Sequence, residues 1–309
     1  MSPVTKKRNI SMELPKYTSL IDGAPLNLHY EFYTAEDGVE LAYQYIPCKS
    51  MKKSNEDAQT LLLLHGLGSS GADWELQVPA LSRQFNLLIP DLRGFGASTA
   101  AYFAQAHGRL NIHKMSRDVE RLLDHLGIFS CPVVGFSMGG AVALQMAVNH
   151  LDIASSMNPM CPSKLLILNS LPSFELDTFQ KKYLGMLRLA LNKLLSINRM
   201  AEMLSKAQFP NDEFMRQAIV KRYSNTHKKP YTAALNGLLG WHVRDYLDQL
   251  PQETLFVTAD EDYSPVSDKE KYAAMMQNAK VAVIKNSKHG TPFDQTEALN
   301  KVIIEFFGS

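Results

Sequence analysis

Short, wholly apolar runs alternate along the chain with longer stretches whose apolar residues recur every three or four positions. Leu61–Leu64, "NLLIPD" (86–91), "PVVGF" (132–136), "KLLILNS" (164–170), "ETLFVTA" (253–259) and "KVAVIK" (280–285) read as strands. Continuous apolar runs of this length fit strands covered on both faces, as in a mostly parallel sheet. Between them, "MSRDVERLLDHLGI" sets Met115, Val119, Leu122, Leu123 and Leu126 on one helical face, and "MGGAVALQMAVNH" follows the third strand directly. Ser267 and Glu270 have capping-box spacing, which predicts a helix from there to about Gln277. A final amphipathic helix gathers Ala298, Leu299, Val302, Ile303 and Phe306, with Gly308 beyond its end. Upstream, "HYEFYTAEDGVELAYQYIP" predicts a hairpin turning at Asp37-Gly38. Residues 1–28 read as an irregular leader and "MKKSNEDAQ" (51–59) as a polar loop.

The rhythm breaks between residues 173 and 250, which hold no convincing strand but strong helical periodicity, densest in "YLGMLRLALNKLLSINRMAEMLSKA". An insertion between two sheet strands predicts a helical cap over the sheet's C-terminal edge, where α/β proteins bind ligands. The expected organisation is therefore a leader (1–28), a core (29–172 with 251–309) and a helical cap (173–250), without internal repeats.

Composition adds mainly exclusions. Apolar residues make up 45% and charged residues 20% of the 309-residue chain, the balance of an ordinary globular protein with a sizeable core. A net charge of +1 gives no overall pull toward nucleic acid or an acidic membrane. Cys48, Cys131 and Cys161 lack C-x-x-C or zinc-like spacing, and an odd count argues against a disulfide framework. Buried free thiols in a reducing compartment are the plainer reading. The first twenty residues lack the apolar core of a secretory signal, and no run reaches membrane-spanning length, so the expected location is cytoplasmic and no membrane is implicated.

Two glycine motifs compete for the chemistry. In "LLLLHGLGSSG" (61–71), Gly66, Gly68 and Gly71 spell G-x-G-x-x-G, with Asp91 twenty residues later, the outline of a dinucleotide-binding turn. His65 interrupts the apolar strand where that fingerprint would continue it, and the loop follows a hairpin. The second motif is Gly135-Phe136-Ser137-Met138-Gly139, G-x-S-x-G between a strand and a helix. An abrupt strand-to-helix turn thrusts the serine hydroxyl outward and needs glycines on either side to avoid collision. Of nine histidines, His289 stands just beyond the strand "KVAVIK", whereas His125 and His242 have no such place. "TADEDYSP" supplies a carboxylate beyond another strand end. Asp262 is preferred for its distance from the strand and its lead into Pro265, with Asp260 second and Glu261 read as solvent-facing. Ser137, Asp262 and His289 thus stand at three strand ends in the order Ser…Asp…His. The dinucleotide reading explains none of the three.

At these residues the chain resembles the α/β-hydrolase superfamily, from about residue 30 onward. The motifs in register are "HGLGSSGADW", "DLRGFGAS" (91–98), "GFSMGG", "ADEDYSP" and "NSKHGTPF". The resemblance implies Ser137 as nucleophile, His289 as general base and acid, and Asp262 as its orienting partner. It also implies an oxyanion hole from the backbone N–H groups of Leu67 and Met138, and no metal or organic cofactor. Ala259 stands where the family usually has glycine before the acid. Serine rather than aspartate at the elbow argues against dehalogenase and epoxide-hydrolase chemistry and for hydrolysis of a small-molecule ester through an acyl-enzyme.

For the pocket, the expected floor is Trp74 and Phe136 beside Leu67 and Met138, with Met186, Leu189 and Trp241 above. Packing inside the insertion is an equal alternative for the last three. A methionine-rich lid suits a flexible acyl chain. Between 181 and 230 there are eleven Lys or Arg against three acids. A solvated helical surface accounts for that excess, and docking of an acidic acyl carrier protein is the sharper reading. Methyl ester esterases acting on pimeloyl-acyl carrier protein share this architecture and such basic surfaces. Thioesterase, lactonase and C–C hydrolase activities occur on the same scaffold, as do non-catalytic binding proteins.

Overall fold

The computed structural model describes residues 13–49, 58–104, 110–151 and 162–308. Eight strands form one sheet: β1 (Glu31–Thr34), β2 (Glu40–Ile46), β3 (Thr60–Leu64), β4 (Asn86–Pro90), β5 (Val133–Phe136), β6 (Lys164–Leu168), β7 (Glu253–Ala259) and β8 (Ala279–Ile284). Their order across the sheet is β1-β2-β4-β3-β5-β6-β7-β8. The hairpin β1–β2 runs antiparallel and joins β4 antiparallel, while every pair from β4 to β8 is parallel. Gly38, at φ 78°, makes the hairpin turn expected at Asp37-Gly38.

The leucine run of β3 shows why these strands read as unbroken apolar stretches. Leu62 and Leu64 face a layer built on helices α1 (Ile112–His125) and α2 (Met138–Asn149). Leu61 and Leu63 face the opposite layer, which the last helix, Thr296–Phe307, covers with Leu299, Ile303 and Phe307. Successive side chains of a strand point to opposite faces, so a sheet covered twice needs apolar residues at every position.

Between β6 and β7 the chain forms four helices: α3 (Phe179–Leu194), α4 (Ile197–Gln208), α5 (Glu213–Tyr223) and α6 (Lys228–Leu238). After β7 comes α7 (Val266–Ala273), and the last helix is α8. No helix of the described residues is long and apolar enough to cross a membrane.

Two expectations are revised. The capping box at Ser267 is not used: α7 begins one residue earlier, behind Pro265, has no side-chain cap, and ends at Ala273. A preceding proline fixes the entry and leaves Ser267 inside the first turn. The described part of the leader is not irregular throughout. Tyr17–Thr18 and Pro25–Leu26 pair as a short antiparallel ribbon, and Tyr17 and Leu20 are buried. Most of the polar loop 51–59 lies outside the described residues, as does Cys161, whereas Cys48 and Cys131 are buried.

Candidate active site

The parallel strands aim their C-terminal ends at one edge, and the chemistry-bearing side chains stand on the loops that leave it. Ser137 follows β5 at φ 53° and ψ −116°, a conformation that L side chains rarely adopt. The turn exists because of its glycines. A Cβ on Gly135 would lie 2.4 Å from the carbonyl oxygen of Gly139, and one on Gly139 would lie 2.4 Å from that of Leu64. The Ser137 N–H is held by the Leu168 carbonyl at 2.9 Å, which pins the elbow to β6.

His289 and Asp262 meet Ser137 there. His289 Nδ1 lies 2.6 Å from Asp262 Oδ1, and Nε2 lies 3.0 Å from Ser137 Oγ. A carboxylate only accepts, so Nδ1 carries the proton toward Asp262, and Nε2 is left to accept from the serine hydroxyl. Burial by itself raises the Asp262 carboxyl. The hydrogen bond and charge of His289, together with the Lys269 ammonium, outweigh that and hold it well below the usual carboxylate range. Asp260 turns elsewhere, accepting the N–H groups of Asn286 and Ser287 at 3.1 Å each. Glu261 is exposed.

The sequence reading missed several supports. Lys269, fully buried on α7, places Nζ 2.8 Å from Asp262 Oδ2 and 2.6 Å from both the carbonyl and the hydroxyl oxygen of Ser264. Asp262 is therefore shared between an imidazole and an ammonium. Asn169, just beyond β6, accepts the Ala259 N–H at 2.9 Å and donates to the His289 carbonyl at 2.8 Å. It laces together the loops after β6, β7 and β8. A polar residue ending the apolar run "KLLILNS" was the signal for it. Tyr263 stacks on His289 with ring centroids 4.5 Å apart, and Phe136 packs against the imidazole at 5.4 Å.

The loop after β3 closes the other side. A Cβ on Gly66 would sit 3.3 Å from Ser137 Cβ, so the Gly66-Leu67 backbone runs directly beside the elbow. His65 is fully buried, and burial drives its imidazole down to about 4, so the ring is neutral. Its Nδ1 donates to the Gly66 carbonyl at 2.8 Å, and its Nε2 accepts the Leu92 N–H at 3.0 Å. Met138 opens α2, so its N–H has no carbonyl four residues back within the helix. From the helical segment, Thr226 Oγ1 donates to the Gly68 carbonyl at 2.7 Å. Arg222, buried on α5, donates to the Ala72 carbonyl at 2.7 Å and pairs with Glu75.

The dinucleotide alternative fails on geometry. Asp91 is buried, accepting the Gly71 N–H at 2.6 Å and the Ala97 N–H at 2.8 Å, where no ribose can reach it. Burial pushes its carboxyl up to about 6 against the lowering effect of those donors. The glycine loop leads into a single tight turn, Gly71–Trp74, rather than a long helix aimed at a phosphate.

The structure places the residues expected around the pocket as follows. Trp74 is buried in the apolar layer beneath α8, so it packs the core. Trp241 is buried, packs at a tilt against Phe174, and donates its indole N–H to Gln145 at 2.8 Å, fastening the segment after α6 to α2. Leu189 is half-buried against the larger apolar layer, and Met186 faces solvent. In each case an indole or alkyl group of that size finds its burial or exposure through helix packing. Only Phe136 of the expected set stands against a reactive group. Among the described residues, no three His, Cys, Asp or Glu side chains cluster as a metal site would require.

A family profile described as the alpha/beta hydrolase fold matches residues 59–296. The chain belongs to the α/β-hydrolase fold family. Among curated relatives, this α/β hydrolase is 40% identical over 93 residues to the magnesium-chelatase 30 kDa subunit of Rhodobacter capsulatus, covering 30% of this chain and 31% of that one. It is 23% identical over 265 residues to a 2-hydroxy-6-oxo-6-phenylhexa-2,4-dienoate hydrolase of Burkholderia cepacia, covering 81% and 88%. Its fold matches an esterase from Exiguobacterium antarcticum with a TM-score of 0.76 at 20% identity, over 91% of this chain and all of that one. The relatives matched over about four fifths of the chain carry hydrolase names, which supports hydrolase activity here.

Proposed function

We propose that this α/β hydrolase cleaves a carboxylic ester through Ser137, His289 and Asp262, with residues 173–250 as a cap. One observation carries the reading: an unbroken hydrogen-bonded chain from the strained Ser137 through His289 to Asp262. Ser137 Oγ attacks the ester carbonyl carbon as Nε2 of His289 takes the hydroxyl proton. The resulting imidazolium is stabilised by Asp262. The tetrahedral oxyanion accepts from the N–H groups of Leu67 and Met138, and one such donor is worth on the order of 3 kcal/mol. Collapse breaks the bond to the leaving alkoxide, which takes the proton from Nε2. Water, deprotonated by the same nitrogen, then splits the acyl-enzyme to the acid and free serine. No step calls for a metal or organic cofactor.

The test is active-site labelling with a fluorophosphonate, followed by turnover of p-nitrophenyl esters of increasing chain length, thioesters, lactones and a vinylogous diketone. Labelling lost in Ser137→Ala with ester turnover supports the reading. Labelling without ester turnover moves the assignment to a thioesterase, lactonase or C–C hydrolase. An unlabelled parent protein would make the fold a binding module.

A further inference from the structure

Helix α3 is turned inside out. At about 100° per residue, Phe179, Tyr183, Leu184, Met186, Leu187 and Leu194 fall within one arc of roughly 160°. All six face solvent, between 43% and 85% exposed. The face turned to the protein carries Gly185, Asn192 and the half-buried Leu189. Gly185 packs so tightly that a Cβ would lie 2.9 Å from Leu176, and Asn192 donates to Thr232 Oγ1 at 2.9 Å. Amphipathic helices of water-soluble domains bury their apolar stripe, and an exposed one of this extent marks a contact surface.

The charges on α3 are ordered around that arc. Lys181 and Arg188 fall along one border and Lys182 and Lys193 along the other; the helix itself contains no acid, and Asp177 just before it pairs with Lys181 at 2.9 Å. Gln180 is the polar residue inside the arc. Elsewhere in the segment, four of the seven other cations up to residue 230 are engaged internally. Arg222 is buried against Glu75, Arg216 pairs with Glu213, Arg199 with Glu202, and Lys228 donates to the Leu195 carbonyl. On α3 itself the pattern is an apolar stripe with cationic margins.

We infer that α3 docks in the plane of an anionic lipid bilayer, its arc among the acyl chains and its lysines reaching back to the headgroups. The pattern meets both requirements of an interfacial helix, large apolar side chains on one side and cations at the boundary. A second copy of the chain is disfavoured by charge, since like cationic borders would meet across a two-fold contact. An acidic protein would satisfy the cations but must also supply a groove for six large apolar side chains. The helix adjoins the chemistry: Arg188, on one border, acts electrostatically on Tyr263, which stacks on His289. Docking would therefore bring the candidate site to the lipid surface, where a lipophilic ester partitions. That consequence rests on the esterase reading, whereas the docking itself does not.

Flotation of the full chain with phosphatidylcholine vesicles, and with vesicles containing phosphatidylglycerol, tests this. The protein is expected to float with the anionic vesicles. Phe179→Glu with Leu194→Glu should weaken that association about a hundredfold or more. The double variant should keep its circular dichroism and its rate on water-soluble p-nitrophenyl acetate. Lys182→Gln and Lys193→Gln should each cost about fivefold. The inference is overturned if the parent stays unbound with both vesicle types or if the double variant floats as well as the parent. It also falls if the parent is a dimer that the double variant turns monomeric, or if an acidic acyl carrier protein binds the parent while vesicles do not. If Ser137→Ala floats normally but no ester is turned over by the parent, docking stands and the esterase reading fails.

Discussion

Helices α3 and α8 are both amphipathic and carry comparable shares of large apolar residues, yet they meet the protein with opposite faces. In α8, Leu299, Ile303 and Phe307 are buried against the sheet and the polar side looks out. In α3, Gly185 and Asn192 are buried and Phe179, Tyr183 and Leu194 look out. The difference follows from what each helix has to cover. A twisted sheet presents a wide apolar face that only an apolar stripe can match. The ground beneath α3 is already filled by Leu176 and Thr232, which admit a glycine and an asparagine. The two proposals together amount to a division of labour, with reaction machinery on the sheet edge and docking on the helical segment, and each of the following measurements can break it.

The largest effect belongs to the sheet edge. Ser137→Ala should lower kcat for a soluble ester on the order of 10⁴- to 10⁶-fold, while α3 and its vesicle binding stay intact. Turnover surviving in that variant would detach the chemistry from the elbow. The next effect sits where the two halves join. Arg222→Met leaves buried Asp73 and half-buried Glu75 without their cation, and should cost about 3–5 kcal/mol in urea denaturation. Little change would mean that α5 does not anchor the loop after β3.

Ile303→Ala on α8 should cost about 2–5 kcal/mol by the same measurement, because a packed interior cannot close the cavity. Lys269→Met tests the shared carboxylate. The ammonium helps hold Asp262 below the usual carboxylate range, so its stabilising effect is present at neutral pH and lost as pH falls. Without the ammonium the carboxyl moves upward, and both acid unfolding and the acidic limb of kcat/KM against pH should shift to higher pH, by about one unit. Lys269→Arg should restore the parent profile. An unmoved limb would reduce Lys269 to a packing role. The smallest effect is expected on the outer face of α3. Phe179→Ser should change stability by no more than about 0.5 kcal/mol, in contrast to Ile303, and a large loss would show that the arc is covered.

Much of the fold was legible because burial on both faces leaves a mark that needs no partner to interpret. All six apolar runs became strands, and Gly135, Ser137 and Gly139 announced an elbow through steric demands that act within a few residues. His289 and Asp262 were legible by position, as polar residues just past strand ends. Lys269 was not, since nothing in "SDKEKY" distinguishes the lysine that turns inward from its neighbours. Trp74, Trp241 and Met186 misled for the same reason: a large apolar side chain shows that it prefers burial, not where. The capping box at Ser267 matched a local rule that Pro265 displaced.

The sequence by itself determined the alternation of strands and helices, the strained serine turn and the order of the reactive residues, because local sterics and burial period write themselves into neighbouring positions. Only the tertiary structure decided which lysine shares the Asp262 carboxylate and which way α3 faces. Those depend on groups far apart in the chain arriving at one place, and on which surfaces were already taken when they arrived.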